Sequence, residues 1–506
     1  MLHRGAAAGP RPFNSCLVEA HLQARNKHPA HLKRQRCRTI HRSACGAGDI
    51  TTCGSNTVDA LNAQLLYEEH PPRAPNFIGP IKVIEMPGKG RGIVASADLK
   101  PGTLLLAVPP VAYLCEVDAP RPSGETLVDE IIDKGLWKHS WMQSLYDGSY
   151  QGTSMPSLDM PSVASGSNAS TREVLDEENS PSSQRAGTSS GATNSGGPST
   201  TNPEAACMQS GFSPEDKTRI AKMTKFNCFG DNREDDALCA VSGRPSAGHI
   251  GIWGPFAMLN HSCAPNTMNY VVDTANQGIM VVRAAKAIAQ GEEVTISYMG
   301  RPQLRPVGPR QVKLLSDYGF ECDCQRCLQE QALEEKLGDL YEGLWDEVSE
   351  RRRPEFDEAC LTYAETGDEE DLQALHEHLQ ASMTQLLGKL QKARVAPNAR
   401  LAILGSMFEL FELKMDVELA LDYTEEFVYT LGTATKAVQA VSPGSDLAVS
   451  LASVLIVTQA RLHGAESPQV AQGKALSDEA LLARYGPIKD DALKSQLRKA
   501  NLTMYN

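Results

Sequence analysis

Cys322-Asp-Cys324-Gln-Arg-Cys327 places three thiols within six residues of chain. Thiolates at this spacing suit a structural zinc ion, which takes four tetrahedral ligands, commonly all sulfur, at about 2.3 Å. Three come from one short stretch, so the fourth must come from elsewhere among the ten other cysteines. Cys263 is the one in a distinctive setting, Asn260-His261-Ser262-Cys263-Ala264-Pro265-Asn266, with His261 as the alternative ligand. An all-thiolate site favours Cys263. The remaining cysteines are scattered and no apolar secretory stretch precedes them, so metal rather than disulfide pairing is expected.

The elements that must position these residues read in four regions. Residues 1–75 are basic, then irregular, ending at Pro71-Pro72 and Pro75. Residues 76–114 alternate short strand-like runs (Ile81 to Ile84, Ile93 to Ala95, Thr103 to Val108) with turns at Gly88-Lys89-Gly90-Arg91-Gly92 and Pro101-Gly102. Residues 148–212 are rich in Ser, Gly, Thr, Asn and Pro. They hold too little apolar surface to offset chain entropy and read as a disordered insertion, which costs little because loop-closure entropy grows slowly with length. Trp137 and Trp141 just upstream predict a short packed helix. From 218 to 328 strand-like runs return at Ile279 to Val282 and Val294 to Tyr298, joined by a turn at Gln290-Gly291. After 330 the texture is helical: Leu333, Leu337, Leu340 and Leu344 form one face, and Leu372, Leu375, Leu379, Met383, Leu386 and Leu390 another. Several such helices up to about residue 465 predict an antiparallel array, without a clean repeat signature.

Asn260-His261-Ser262-Cys263, then Gly291-Glu292-Glu293 with Ile296-Ser297-Tyr298, then Tyr318-Gly319-Phe320-x-Cys-x-Cys-x-x-Cys, in this order and separation, resembles the SET-domain methyltransferases. Gly88 to Gly92 followed by Pro101-Gly102 resembles that family's N-terminal half, and the helical tail makes the chain most similar to the SMYD branch. SMYD proteins carry a cysteine-rich MYND zinc finger between the SET halves. Here only Cys115 and Cys207 lie between 109 and 226, so no MYND finger is expected. The resemblance implies an α+β chain: a mostly-β SET fold with a zinc-binding post-SET segment over 76–328, interrupted at 148–212, then an all-α, TPR-like domain over 329–506. It further implies S-adenosyl-L-methionine-dependent methylation of a protein lysine, with zinc purely structural.

Site roles follow from the same resemblance. Tyr298 is the catalytic tyrosine and also a cofactor contact, and Tyr318, counted with it as catalytic, lines the lysine channel. Lys89, Gly90 and Arg91 form the N-terminal cofactor loop, Asn227 is another cofactor contact, Asn260 and His261 hold the cofactor, and Phe320 stacks on its adenine. Cys263, Cys322, Cys324 and Cys327 hold the metal. Glu292-Glu293 sits at a turn before a strand, where adjacent residues face opposite ways, so a salt-bridge or turn role is expected rather than paired acid–base chemistry. Arg351-Arg352-Arg353 reads as a solvated helix end.

Composition narrows the partners. The net charge of −13 argues against nucleic acid as a direct ligand. Residues 1–50 hold nine Lys/Arg against Glu19 and Asp49, which leaves the rest at 40 minus 60, or −20. That acidic balance suits a basic protein substrate with an accessible lysine, such as a histone or a ribosomal protein. The basic N-terminus resembles a plastid or mitochondrial transit peptide; a disordered tail, or a nuclear signal at Lys33-Arg34-Gln35-Arg36-Cys37-Arg38, is the alternative, leaving nucleus, cytoplasm or organelle open. The apolar run Leu447 to Ala460 is too short for a membrane span and is interrupted by Ser450, Ser453 and Thr458. A monomer is expected. The competing functional reading is a catalytically weak, zinc-stabilised scaffold that binds proteins through its helical tail.

Overall fold

The computed structural model describes residues 61, 65–66, 76–148, 158, 213–233, 235–274, 277–337 and 340–502. The 148–212 insertion lies outside these residues apart from Gly148 and Leu158. Eleven strands occur among the described residues: β1 Phe77–Ile78, β2 Ile81–Met86, β3 Gly90–Ala95, β4 Leu104–Val108, β5 Ala112–Val117, β6 Phe229–Asp231, β7 Ala247–Ile252, β8 Asn260–His261, β9 Thr267–Thr274, β10 Gln277–Ala284 and β11 Glu293–Ile296. They form three small sheets, ordered β1-β4-β10-β9, β2-β3-β11-β8 and β5-β7-β6. Pairing is antiparallel except between β11 and β8, which run parallel with Thr295 beside Asn260 and Ile296 beside His261.

Four helices border these sheets: α1 Gly124–Asp133, α2 Ser140–Ser144, α3 Pro214–Asn227 and α4 Asp236–Ser242. The start of α3 is specified locally. Ser213 Oγ accepts the Asp216 N–H at 3.2 Å while the Asp216 carboxylate accepts the Ser213 N–H at 2.9 Å, with Pro214 in the first turn. Trp137 and Trp141 do not share one helix. Trp137 sits on a 3₁₀ turn, Leu136–Lys138, and Trp141 on α2, because the intervening His139 is extended.

The chain continues through α5 Val307–Tyr318, α6 Gln325–Leu337, α7 Leu340–Asp346, a π turn Glu347–Arg352, then α8 Arg353–Thr366, α9 Glu370–Lys392, α10 Pro397–Ser406, α11 Phe408–Ala420, α12 Thr424–Val441, α13 Asp446–His463, α14 Pro468–Tyr485 and α15 Asp491–Leu502. The face expected at Leu333 to Leu344 is therefore split between α6 and α7, and the helices extend well past 465. From α11 to α14 each helix packs on its chain neighbour, while α10 packs on α12 and α9 on α11. Residues Leu447 to Ala460 lie in α13, and among the described residues no helix is long and apolar enough to cross a membrane.

One strand shows how the two halves of the chain meet. Every described side chain on β10 from 278 to 284 is buried, because the strand is central in its sheet and covered on both faces. Alternation sends Met280, Val282 and Ala284 into the SET-side core with Ile93, Leu106 and Trp253. Ile279 and Val281 point the other way, onto Ala480, Leu481, Tyr485 and Leu497 of α14 and α15. Each such aliphatic side chain, fully buried, contributes about 1.5–3 kcal/mol. Leu65 and Leu66, within the irregular stretch before Pro71, join this second core at 5% and 8% exposure.

Candidate functional site: four rings beside a cysteine quartet

The parallel pairing of β8 with β11 determines the site. It lays Asn260 and His261 beside the strand end that leads to Tyr298. The Tyr298 N–H donates to His261 Nδ1 at 3.0 Å, so the ring proton sits on Nε2 and points to Cys263 Sγ at 3.3 Å. Both His261 nitrogens are thus occupied, which leaves its backbone for a ligand.

Tyr318 ends α5, and Gly319 follows at φ +77°, a left-handed geometry that suits glycine at a helix C-terminus. Its N–H closes on the carbonyls of Leu314 and Leu315, and the chain turns so that Phe320 faces back toward His261. Four rings then form a circuit: His261 to Tyr298 at 5.3 Å, Tyr298 to Tyr318 at 5.0 Å, Tyr318 to Phe320 at 6.4 Å and Phe320 to His261 at 6.1 Å between centroids. Tyr298 Oη donates to the Leu259 carbonyl at 2.7 Å, and Tyr318 Oη to the Tyr298 carbonyl at 3.2 Å. Burial, followed by the nearby Asp317 charge, pushes the Tyr318 phenol above its ordinary range, so it remains a hydrogen-bond donor at neutral pH.

The predicted cofactor residues occupy different situations. Asn260 Nδ2 donates to the Arg91 carbonyl at 2.9 Å and to Glu293 Oε1 at 2.9 Å, which ties β8 to β3. Arg91 Nη2 donates to the Ser144 carbonyl at 2.6 Å, whereas its Nη1 is buried with no partner among the described residues. Gly90 opens β3 beside it. Lys89 points outward and pairs with Glu293 at 3.1 Å and Asp323 at 3.7 Å, a clasp between the glycine turn and the cysteine segment. Burial works against the Lys89 charge, but Glu293 outweighs it and raises the ammonium above its usual range. Asn227 is buried at the end of α3, with Nδ2 donating to the Tyr146 and Met223 carbonyls at 2.7 Å each. Glu292 accepts the Ala289 N–H at 3.0 Å within the turn.

Cys263, Cys322, Cys324 and Cys327 converge so that all four Sγ atoms lie within 4.8 Å of one another. Zn–S bonds of 2.3 Å at tetrahedral angles require S···S separations of about 3.8 Å. The sulfur–sulfur separations of 3.9 Å for Cys263–Cys322 and 3.5 Å for Cys263–Cys327 bracket that value, so the donor set fits a tetrathiolate metal. Hydrogen bonding among the sulfurs draws Cys322 far below the usual thiol range and pushes Cys263 and Cys327 above it. Gln311 holds the segment from outside: its Nε2 donates to the Cys322 carbonyl and its Oε1 accepts the Cys322 N–H, both at 2.7 Å. Nothing in the motif spacing signalled Gln311, which acts through backbone contacts that leave no pattern of their own.

Comparison with known families now decides the fold: residues 90–299 match the SET domain. Residues 90–299 form a SET domain. Among relatives, Arabidopsis thaliana histone-lysine N-methyltransferase ASHR2 is 34% identical over 120 residues, 23% of this chain and 29% of that protein. Gallus gallus N-lysine methyltransferase SMYD2 is 34% identical over 126 residues, 24% and 26% respectively. Xenopus laevis SMYD2-B is 29% identical over 211 residues, 40% and 44%. The chain spans less than half the length of each of these relatives. The SET domain is SMYD-like, and its match ends at Met299, before the cysteine segment and the helices that follow it.

Proposed function

We propose that the protein is an S-adenosyl-L-methionine-dependent protein-lysine N-methyltransferase. The observation that carries this reading is the circuit of His261, Tyr298, Tyr318 and Phe320, a cluster of four rings with two oriented phenols. When bound, S-adenosyl-L-methionine supplies a methyl group activated on a sulfonium. The residues then have to admit a neutral lysine amine, exclude water and hold the two reactants in line, which accounts for much of the barrier reduction in a one-step displacement. The aromatic walls exclude water. Tyr298 Oη donates its proton to the Leu259 carbonyl, and that bond orients the phenol oxygen toward the amine it is proposed to receive. Tyr318 stays neutral and places no anion that would favour an ammonium.

The unpartnered Arg91 Nη1 suits the carboxylate of the cofactor, and Phe320 its adenine. The backbone at Asn260 and His261 and the amide oxygen of Asn227 are further contacts, while Lys89 and Gly90 shape the loop. Zinc on the four cysteines is structural and holds Tyr318 and Phe320 against His261. The net charge of −13 favours a basic protein substrate, with histones and ribosomal proteins as the first to try.

The test is a calorimetric titration of the zinc-loaded protein with S-adenosylmethionine, followed by labelled methyl transfer to core histones and ribosomal proteins. Tyr298→Phe should retain zinc and cofactor binding yet lose transfer by roughly a hundredfold or more, the scale for one oriented polar group acting on the transition state. Absence of cofactor binding would overturn the enzyme reading and leave a zinc-stabilised scaffold.

A further inference from the structure

Behind the cysteine quartet lies an ionic network that the methyl-transfer reading does not use. Arg310 on α5 and Arg326 and Glu330 on α6 are 0%, 3% and 2% exposed. One carboxylate gathers four donors. Glu330 Oε1 accepts from Arg326 Nε and Ser406 Oγ, both at 2.7 Å; Oε2 accepts from Arg310 Nη2 at 2.6 Å and Tyr341 Oη at 3.0 Å. The arginines reach on to the cysteines. Arg310 Nη1 lies 3.4 Å from Cys327 Sγ, and Arg326 Nη1 donates to the Cys263 carbonyl at 2.6 Å. On the opposite side Arg326 Nη2 donates to Ser406 Oγ at 2.5 Å, and Ser406 is the fully buried last residue of α10.

Two guanidiniums against one carboxylate leave a net positive charge buried beside the sulfurs. That charge complements the net negative charge of a tetrathiolate zinc centre. Buried charges persist only where every partner is held in place, and removal of one is felt by the rest.

We infer that Glu330 is a positioning residue through which the metal centre and the helical domain stabilise one another. Metal on the cysteines holds the Cys263 carbonyl and the Cys327 sulfur in register for the two arginines. The arginines hold Glu330, and Glu330 with Arg326 holds the end of α10 through Ser406. Loss of metal therefore loosens the docking of α10, which lies outside the SET domain, and loss of Glu330 loosens the metal. This rests on the metal reading of the cysteines and is independent of whether the protein transfers methyl groups.

The experiment is amide hydrogen exchange over residues 397–411 in the full chain, zinc-loaded and chelator-stripped, for the wild type, Glu330→Gln and the milder Ser406→Ala. Zinc content and the rate of zinc release to a chromogenic chelator are measured on each. In the wild type, stripping should speed exchange over 397–411 by roughly tenfold or more, as for loss of one charge-assisted hydrogen bond, while α13 serves as the internal reference. Glu330→Gln should show that speed with zinc still bound, gain little more on stripping, and release zinc faster; Ser406→Ala should fall between. Wild-type exchange that ignores zinc, or effects of stripping and of Glu330→Gln that simply multiply, would overturn the coupling while the metal reading stands. A wild-type chain that binds no zinc overturns both.

Discussion

His249 supplies a quantitative test of the packing around the site. It sits at the centre of β7, opposite Cys115 on β5 and Asp231 on β6, and is 2% exposed. Neither ring nitrogen makes a hydrogen bond of good geometry among the described residues, and its neighbours include the Tyr113 ring at 6.2 Å and the Phe229 ring at 6.4 Å. Burial, partly opposed by Asp231 and by the Ala247 backbone, lowers its pKa from 6.5 to about 4. An unfolded chain binds the proton near pH 6.5, the folded chain only near 4. Between those values the unfolded state holds more protons, so stability rises with pH through the window and the contribution is complete above 6.5. At pH 5 the imbalance amounts to about 2 kcal/mol relative to pH 7.5, approaching about 3 kcal/mol near pH 4. The perturbation is His249→Phe, which keeps a flat ring and removes the titrating group. Urea denaturation of both proteins at pH 7.5 and 5.0 should show the wild type losing about 2 kcal/mol more than the variant, other acid-sensitive groups being common to both. Equal losses would refute the burial argument and place an unseen hydrogen-bond partner on the imidazole.

Three further outcomes are expected. Cys324→Ser should lose most bound zinc, read by metal analysis, and expose the Tyr318–Phe320 segment to proteolysis, because metal binding in such clusters is folding energy. Arg91→Met should weaken S-adenosylmethionine binding by roughly 10- to 150-fold in calorimetry, the equivalent of one charge-assisted hydrogen bond, with zinc content unchanged. Gly102→Val should cost about 2 kcal/mol or more in urea denaturation, since Gly102 has φ +83° and an added Cβ would lie 2.7 Å from Leu482 Cδ1 and 3.1 Å from the Leu482 carbonyl.

The convergence of the four cysteines was legible because thiol chemistry and spacing are local: three thiols share six residues, and Cys263 carries its own motif. The strands around Ile93, Leu105 and Val281 were legible from their apolar runs. Other features depend on contacts that no linear pattern encodes. His261 could be named as a site residue, but its double engagement with Tyr298 and Cys263 arises from a parallel strand pair. Arg326 and Glu330 carry no sequence signal beyond an i, i+4 charge spacing, and only tertiary packing buries them. Leu65 and Leu66 were hidden in a stretch dominated by its basic start, and their partners Tyr270 and Leu493 lie far along the chain.

The two-faced burial of β10 has a consequence for how the protein is made. Ile279 and Val281 leave the ribosome roughly 200 residues before Leu481 and Leu497 can cover them, which at usual elongation rates is on the order of 10–40 s. During that interval the sheet is complete in hydrogen bonds yet bare on one apolar face. The nascent SET domain must therefore wait, shielded by chaperones or by its own earlier segments, for the last helices to close it. Its vulnerability to aggregation is set by the order of synthesis, and a pause in translation after residue 284 would lengthen it.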